Sequence, residues 1–160
     1  MKVLIKVLNP LCEPQIKGDW IDLKSASDCL VTPPMISGKT VKFTKYLIPL
    51  GVCMELPYGF EAHVVPRSST FKQYGILMNN SFAVIDNTYC GNADEWKFPA
   101  LFIEDREIKI GDRICQFRIT PSQFAPWYVK LKWMFVHRIK FVCVDNLSKP
   151  SRGGIGSTGK

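Results

Sequence analysis

Histidine is scarce in this chain, with two in 160 residues, and the six cysteines (Cys12, Cys29, Cys53, Cys90, Cys115 and Cys143) include no Cys-x-x-Cys pair. Structural zinc sites need clustered Cys and His ligands, so that class is excluded. No run approaches the roughly 18 uncharged apolar residues of a spanning helix, and we expect a soluble chain. The apolar stretch from Met1 to Leu8 is too short for a signal peptide and carries no small-residue cleavage site. A reducing, cytoplasmic setting follows as the expectation, with the thiols serving as buried small hydrophobes. Acidic residues are in deficit too, 14 Asp+Glu against 21 Lys+Arg, for a formal charge of +7. That balance suits a polyanionic partner, whether nucleic acid, an acidic membrane surface or a small phosphorylated ligand, and charge alone does not choose among them.

What is present is apolar residues in short, punctuated runs. At 46% hydrophobic and 12% aromatic, a chain of this length buries roughly two thirds of its unfolded surface and supports one packed core. Eleven prolines and 11 glycines break the sequence at short intervals, and the segments between them favour Val, Ile, Phe and Tyr, an all-β signature. Strands are expected at Val3 to Leu8, Thr40 to Leu47, Gly51 to Leu56, Glu61 to Pro66, Phe82 to Asp86, Lys97 to Ile103, Arg113 to Thr120 and Trp127 to Val144, the last broken or bulged. Alternation of Val41, Phe43 and Lys45 with Lys42 and Thr44 suits a sheet with one buried face. One short helix is expected, Ser68 to Tyr74. No internal repeat or linker divides the chain, so residues 1–147 read as one β domain, a sandwich, jelly roll or barrel. Residues 148–160 read as a glycine-rich arm, mobile without ligand.

Five segments can carry chemistry. In the tail, Arg152 offers a planar charged fork, the glycines let backbone amides approach an anion, and Ser157 and Thr158 add hydroxyls; the plainer alternative is a disordered terminus. Pro66-Arg67-Ser68-Ser69-Thr70 follows a strand and opens the short helix, so its amides and hydroxyls face any anion there, or simply cap the helix. In Ala83-Val-Ile85-Asp86-Asn-Thr-Tyr89-Cys-Gly91 a carboxylate at the mouth of a strand can act as general base on water and a ring can bear a sugar. The same residues also make an ordinary turn, with Gly91 at positive φ. Gly111-Asp-Arg-Ile-Cys-Gln116 leads a turn into a strand and positions an amide. Asp22-Leu-Lys-Ser-Ala26 offers a carboxylate that could orient hydrated magnesium, or an exposed turn aspartate.

Together and in this order, the five segments resemble the five motifs of the trimeric dUTP pyrophosphatases (dUTPases) across nearly the whole chain. The resemblance implies a dUTPase-like β-clip or jelly-roll subunit with one short helix, assembling as a homotrimer with shared active sites. It implies hydrolysis of dUTP to dUMP and pyrophosphate, which limits uracil incorporation into DNA and supplies dUMP for thymidylate synthesis. Asp86 would activate water for in-line attack on the α-phosphorus. Tyr89 would lie against the deoxyribose, and the strand from Asn80 through Ile85 would read uracil through backbone groups. Arg67, Ser68, Ser69, Gln116, Arg152, Ser157 and Thr158 would hold phosphates, and Asp22 would help orient the Mg2+ shell through water. The implied partners are dUTP and two further copies of the chain, with neither membrane nor nucleic acid expected.

Three positions depart from the family pattern. Ser69 stands in place of glycine, and Cys90 replaces a basic or polar residue. Ile155 occupies the position of the phenylalanine that closes over uracil, so either the lid is weaker or Trp96 and Phe98 substitute for it; the alternative for both is strand core. The chain also looks enlarged between Pro33 and Leu47 and between Pro121 and Lys149. Two rivals remain, the dCTP deaminase branch of the fold, which needs a glutamate base, and a non-catalytic regulatory binding module.

Overall fold

A computed structural model describes residues 1–136 and 138–153. In chain order the strands are β1 (Lys2–Val7), β2 (Gln15–Lys17), β3 (Trp20–Lys24), β4 (Cys29–Val31), β5 (Met35–Ser37), β6 (Thr40–Lys42), β7 (Lys45–Pro49) and β8 (Val52–Glu55). They continue with β9 (Phe60–Pro66), β10 (Ile76–Met78), β11 (Ala83–Asp86), β12 (Lys97–Phe102), β13 (Arg106–Ile108), β14 (Arg113–Pro121) and β15 (Lys140–Cys143). Two α-helices interrupt them, α1 (Thr70–Tyr74) and α2 (Trp127–Trp133).

The largest sheet is five-stranded, in the order β11-β9-β14-β3-β2. Its strands show why the chain reads as β: in β9, Phe60, Ala62 and Val64 turn inward while Glu61, His63 and Val65 turn outward. In β14 the register against β3 shifts between Arg113 and Cys115, so Ile114 and Cys115 are both buried although adjacent. Such an irregularity re-aims the side chains beside it, here Arg113 and Gln116. Two three-stranded sheets, β15-β1-β8 and β10-β12-β7, and the pair β13-β4 enclose the core with it. Trp96 packs edge-on against Phe117 with ring centroids 5.1 Å apart, among Leu23, Ile48, Leu50 and Met54. Each such side chain contributes roughly 1.5–3 kcal/mol on leaving water.

The all-β class therefore holds, with three corrections of detail. Trp127–Trp133 is helical rather than extended. Pro126 precedes it, and Val129 and Trp133, four residues apart, turn to one side, where Trp133 meets Phe60 with centroids 5.6 Å apart. Asp22 lies within β3 and is 4% exposed, so it is no surface turn. The stretch from Thr40 to Leu47 is split into β6 and β7, and its expected buried face is absent, because Val41 and Phe43 are both exposed. Hairpin β5-β6 forms a two-stranded sheet of its own with all six residues exposed. Four of the cysteines are buried, as expected; Cys29 is half-buried and Cys143 exposed. Burial pushes the Cys53 thiol up to about 11 and raises that of Cys115 further, so both remain uncharged small hydrophobes. No described helix is long and apolar enough to cross a membrane.

Candidate active site

Two polar clusters gather the charged residues singled out from the sequence, Asp86 with Arg152 and Asp22 with Arg67. The first is built on Asp86, the last residue of β11, an edge strand whose outer side has no partner strand among the described residues. Its carboxylate is 47% exposed. Oδ1 accepts from the Thr88 amide at 2.8 Å and from the Thr88 hydroxyl. Oδ2 accepts from Nη1 of Arg152 at 2.9 Å, and the same guanidinium nitrogen donates to Thr88 Oγ1 at 2.7 Å. Partial burial raises the Asp86 carboxyl, but the Thr88 hydroxyl and amide and the Arg152 guanidinium outweigh it, and the group sits below its ordinary value. At neutral pH Asp86 is an ionised, solvent-reachable acceptor, able to take a proton from water.

Around it, Tyr89 leans on the core and donates its hydroxyl to the Glu95 carbonyl at 3.0 Å. Burial pushes the phenol up to about 12, so the ring stays neutral. Asn80 is exposed in the loop joining β10 to β11, where Ser81 adopts positive φ, and Ile85 is half-buried beside Asp86. Trp96 and Phe98 are 0% exposed core side chains. Neither can act as the lid, because packing on every side leaves no ring face for a base. Gly91 does not take positive φ. It is glycine because a Cβ there would lie 2.2 Å from the Ser151 Cα. Ile155, Ser157 and Thr158 lie outside the described residues.

The second cluster centres on Asp22. Its Oδ1 pairs with Nε of Arg67 at 2.9 Å and its Oδ2 with Nη1 of Arg113 at 3.0 Å. Arg67 also reaches the Arg113 carbonyl at 3.3 Å and the Ser69 hydroxyl at 3.4 Å. Below them the buried Thr70 hydroxyl accepts from the Arg67 amide and donates to the Ile114 carbonyl, both at 2.8 Å, which ties the start of α1 to β14. Ser69 makes no side-chain cap bond, so helix capping does not explain it. Ser68 is exposed, and half-exposed Gln116 stands opposite Asp22 in the β14-β3 register. The cluster is a pair of arginines whose forks are held by one buried carboxylate.

Magnesium fits this donor set poorly. Both oxygens of Asp22 are engaged by arginines, and the described residues contain no group of three or more His, Cys, Asp or Glu that could hold a metal. Asp22 thus braces two arginines and offers no uncommitted carboxylate oxygen for direct coordination. Thr88 and Arg113 were assigned no role from the sequence. Thr88 could have been found as a hydroxyl two residues past an aspartate at a turn; Arg113 carried no comparable signal.

The two clusters do not meet within one chain. Asp86 is opposite Glu61 at the start of β9, whereas Arg67 follows Pro66 at its end. Six residues of strand separate them, about 20 Å at roughly 3.3 Å per residue.

The dUTPase family model matches residues 10–140. The chain belongs to the dUTPase family. The SPbeta prophage-derived deoxyuridine 5'-triphosphate nucleotidohydrolase YosS of Bacillus subtilis (strain 168) is 47% identical over 143 residues, covering 89% of this chain and 85% of that protein. In fold the chain is similar to the dUTPase of Streptococcus mutans, with a TM-score of 0.62 at 20% identity over 75% of this chain and 93% of that one. It is likewise similar to the dUTPase of S. aureus phage phi11, whose structure concerns the coordination of a structural Mg(II) ion; there the TM-score is 0.60 at 15% identity, over 78% of this chain and 93% of that one. The two clusters differ in chemistry, an ionised, exposed carboxylate at Asp86 and a pair of arginines held by the buried Asp22.

Proposed function

We propose that this dUTPase-family chain hydrolyses dUTP to dUMP and pyrophosphate, with Asp86 as general base. The observation that carries the reading is the Asp86 carboxylate, ionised and exposed at the end of an edge strand, with Arg152 beside it. Asp86 takes one proton from a water molecule, the water oxygen bonds to the α-phosphorus, and the bond from that phosphorus to the bridging oxygen breaks. Pyrophosphate departs with the bridging oxygen, and its negative charge is met by Arg67, Ser68, Ser69 and Gln116, joined by Arg152, Ser157 and Thr158 from the tail. The free edge of β11 near Ile85 and the loop at Asn80 supply backbone donors and acceptors suited to the edge of uracil, and Tyr89 bears the sugar.

The separation of about 20 Å between Asp86 and Arg67 supports an assembly in which one copy's base works with another copy's arginines, and the reading is a homotrimer with three shared sites. Many exposed apolar side chains fit burial between copies, among them Leu30, Ile36, Leu77 and Val84. Mg2+ would be carried by the phosphates of dUTP rather than held directly by Asp22, and would offset their charge while keeping most of its water. The enzyme works in the cytoplasm, at the nucleotide pool. Ile155 makes a smaller cover for the base than an aromatic ring would, and selectivity then rests more on the strand edge.

The test is pyrophosphate release from dUTP, with ammonia release from dCTP measured in parallel. Asp86→Asn is expected to lower kcat by about 10²- to 10⁴-fold while a non-hydrolysable dUTP analogue binds as before. Substantial residual turnover in this variant removes Asp86 as the base, and ammonia release would move the chain to the deaminase branch.

A further inference from the structure

Asp94 is a fully buried acid, 0% exposed, and among the described residues no lysine or arginine side chain pairs with it. A carboxylate is tolerated at such depth only if backbone or side-chain donors satisfy it. Among the described residues its donors are two amides. Gly91 N–H donates to Oδ2 at 2.8 Å, closing the loop locally. The Arg152 N–H donates to both oxygens, at 3.1 and 2.9 Å, from 58 residues away. One of these two donors, and the one that reaches both oxygens, therefore comes from the carboxy-terminal segment.

The rest of that segment follows the same loop. Asn92 exchanges bonds with the Leu147 backbone at 3.2 and 3.0 Å, Lys149 bridges to Gly91 in parallel, and the Ser151 hydroxyl accepts from the Ala93 amide at 2.9 Å. The absent Cβ of Gly91 is what lets the Ser151 backbone approach. Arg152 is then held at both ends, its amide on Asp94 and its guanidinium on Asp86 and Thr88.

We propose that Asp94 is a positioning residue, fixing the main chain at Arg152 so that the guanidinium is aimed at the reacting phosphates and the base. The inference rests on the proposed function of Asp86 and Arg152, and it extends that reading to a residue that touches neither water nor substrate. Misaiming a charged group by about an ångström costs on the order of tenfold to a hundredfold in rate.

The test is a double-mutant cycle in the full chain between Asp94→Asn and Arg152→Ala, read as kcat and KM for dUTP, with tryptic cleavage after Arg152 as a second readout. Asp94→Asn is expected to lower kcat about tenfold or more and to speed cleavage at Arg152. In an Arg152→Ala background it is expected to add nothing further, since it acts through that side chain. Gly91→Ala displaces the same segment without altering charge and is expected to reproduce both effects. Equal losses from Asp94→Asn with and without Arg152, or unchanged protection at Arg152, overturn the proposal. The proposed role of Asp86 fails separately, through turnover in Asp86→Asn, while the cleavage result stands.

Discussion

Arg152 and Asp86 set each other's behaviour. In the free enzyme the guanidinium stabilises the ionised carboxylate, so Asp86 is ready as a base down to a pH below the usual carboxylate range. Since kcat/KM reports the free enzyme, its acid limb is expected to move to higher pH in Arg152→Ala, while the alkaline side keeps its position. A pH-rate profile of the two proteins checks this, and an unmoved limb means that the pair does not govern the base. Folding stability follows the same sign. A carboxylate with a lowered folded pKa contributes stability above its unfolded value and loses it as pH falls through the folded one, so the variant gives up part of that contribution. Asp22 is the opposite kind of acid, buried and committed to structure. Asp22→Asn removes the charge that aligns Arg67 and Arg113; because both arginines retain access to water, the cost is expected at about 1–3 kcal/mol rather than the full penalty of an orphaned buried ion. Urea unfolding measures it. KM for dUTP is expected to rise and the Mg2+ concentration for half-maximal rate to stay put; a shift in the latter would restore Asp22 to the metal's hydration shell.

At the scale of elements, legibility followed the source of each segment's order. β9, β11, β12 and β14 were readable because alternation in Phe60-Glu-Ala-His-Val64 or Phe117-Arg-Ile119 reflects a sheet face that is buried on one side only. The Asp22 strand was missed because it is short, five residues, and Asp22 reads locally as a turn acid; it lies on the face opposite the core residues Ile21 and Leu23, and only the distant Arg67 and Arg113 bury it there. Of the site, Asp86, Arg67, Gln116 and Arg152 could be named from motif order. That Asp94 is buried under the tail, and that Trp96 and Phe98 are core, are tertiary facts with no local signature. α2 was misread because Trp, Tyr, Val and Phe favour strands in isolation, whereas the i, i+4 pair Val129 and Trp133 settles against Gly59 and Phe60. Trp133→Ala should therefore loosen α2 alone. We expect a loss of about 2 kcal/mol for this half-buried ring, seen as a lower unfolding temperature with kcat unchanged. A fall in kcat would instead tie α2 to the site. Its outer face exposes Trp127, Tyr128 and Leu131, with Phe124, 90% exposed, just ahead of the helix.

For the whole molecule the decisive quantity is the length of β9. A strand is stiff, so Asp86 opposite Glu61, its second residue, and Arg67 beyond its last cannot be drawn together by side-chain motion within one chain. If both act on one triphosphate, they come from different copies. Two inactive variants, Asp86→Asn and Arg67→Ala, should then complement when unfolded together and refolded. A site drawing its base from an Arg67→Ala copy and its arginine from an Asp86→Asn copy is intact, and random assembly makes roughly a quarter of sites so. Turnover near a quarter of wild type is the expected result, from a particle of about three times the 18.2 kDa chain by sedimentation. Absence of any recovery in a particle of that mass would mean that base and arginines serve separate sites. A monomeric, active chain would mean that the tail alone, through Arg152, meets the phosphates. The complementation yield thus separates a shared site from a self-contained one without a ligand-bound structure, because only the shared arrangement lets two defects cancel.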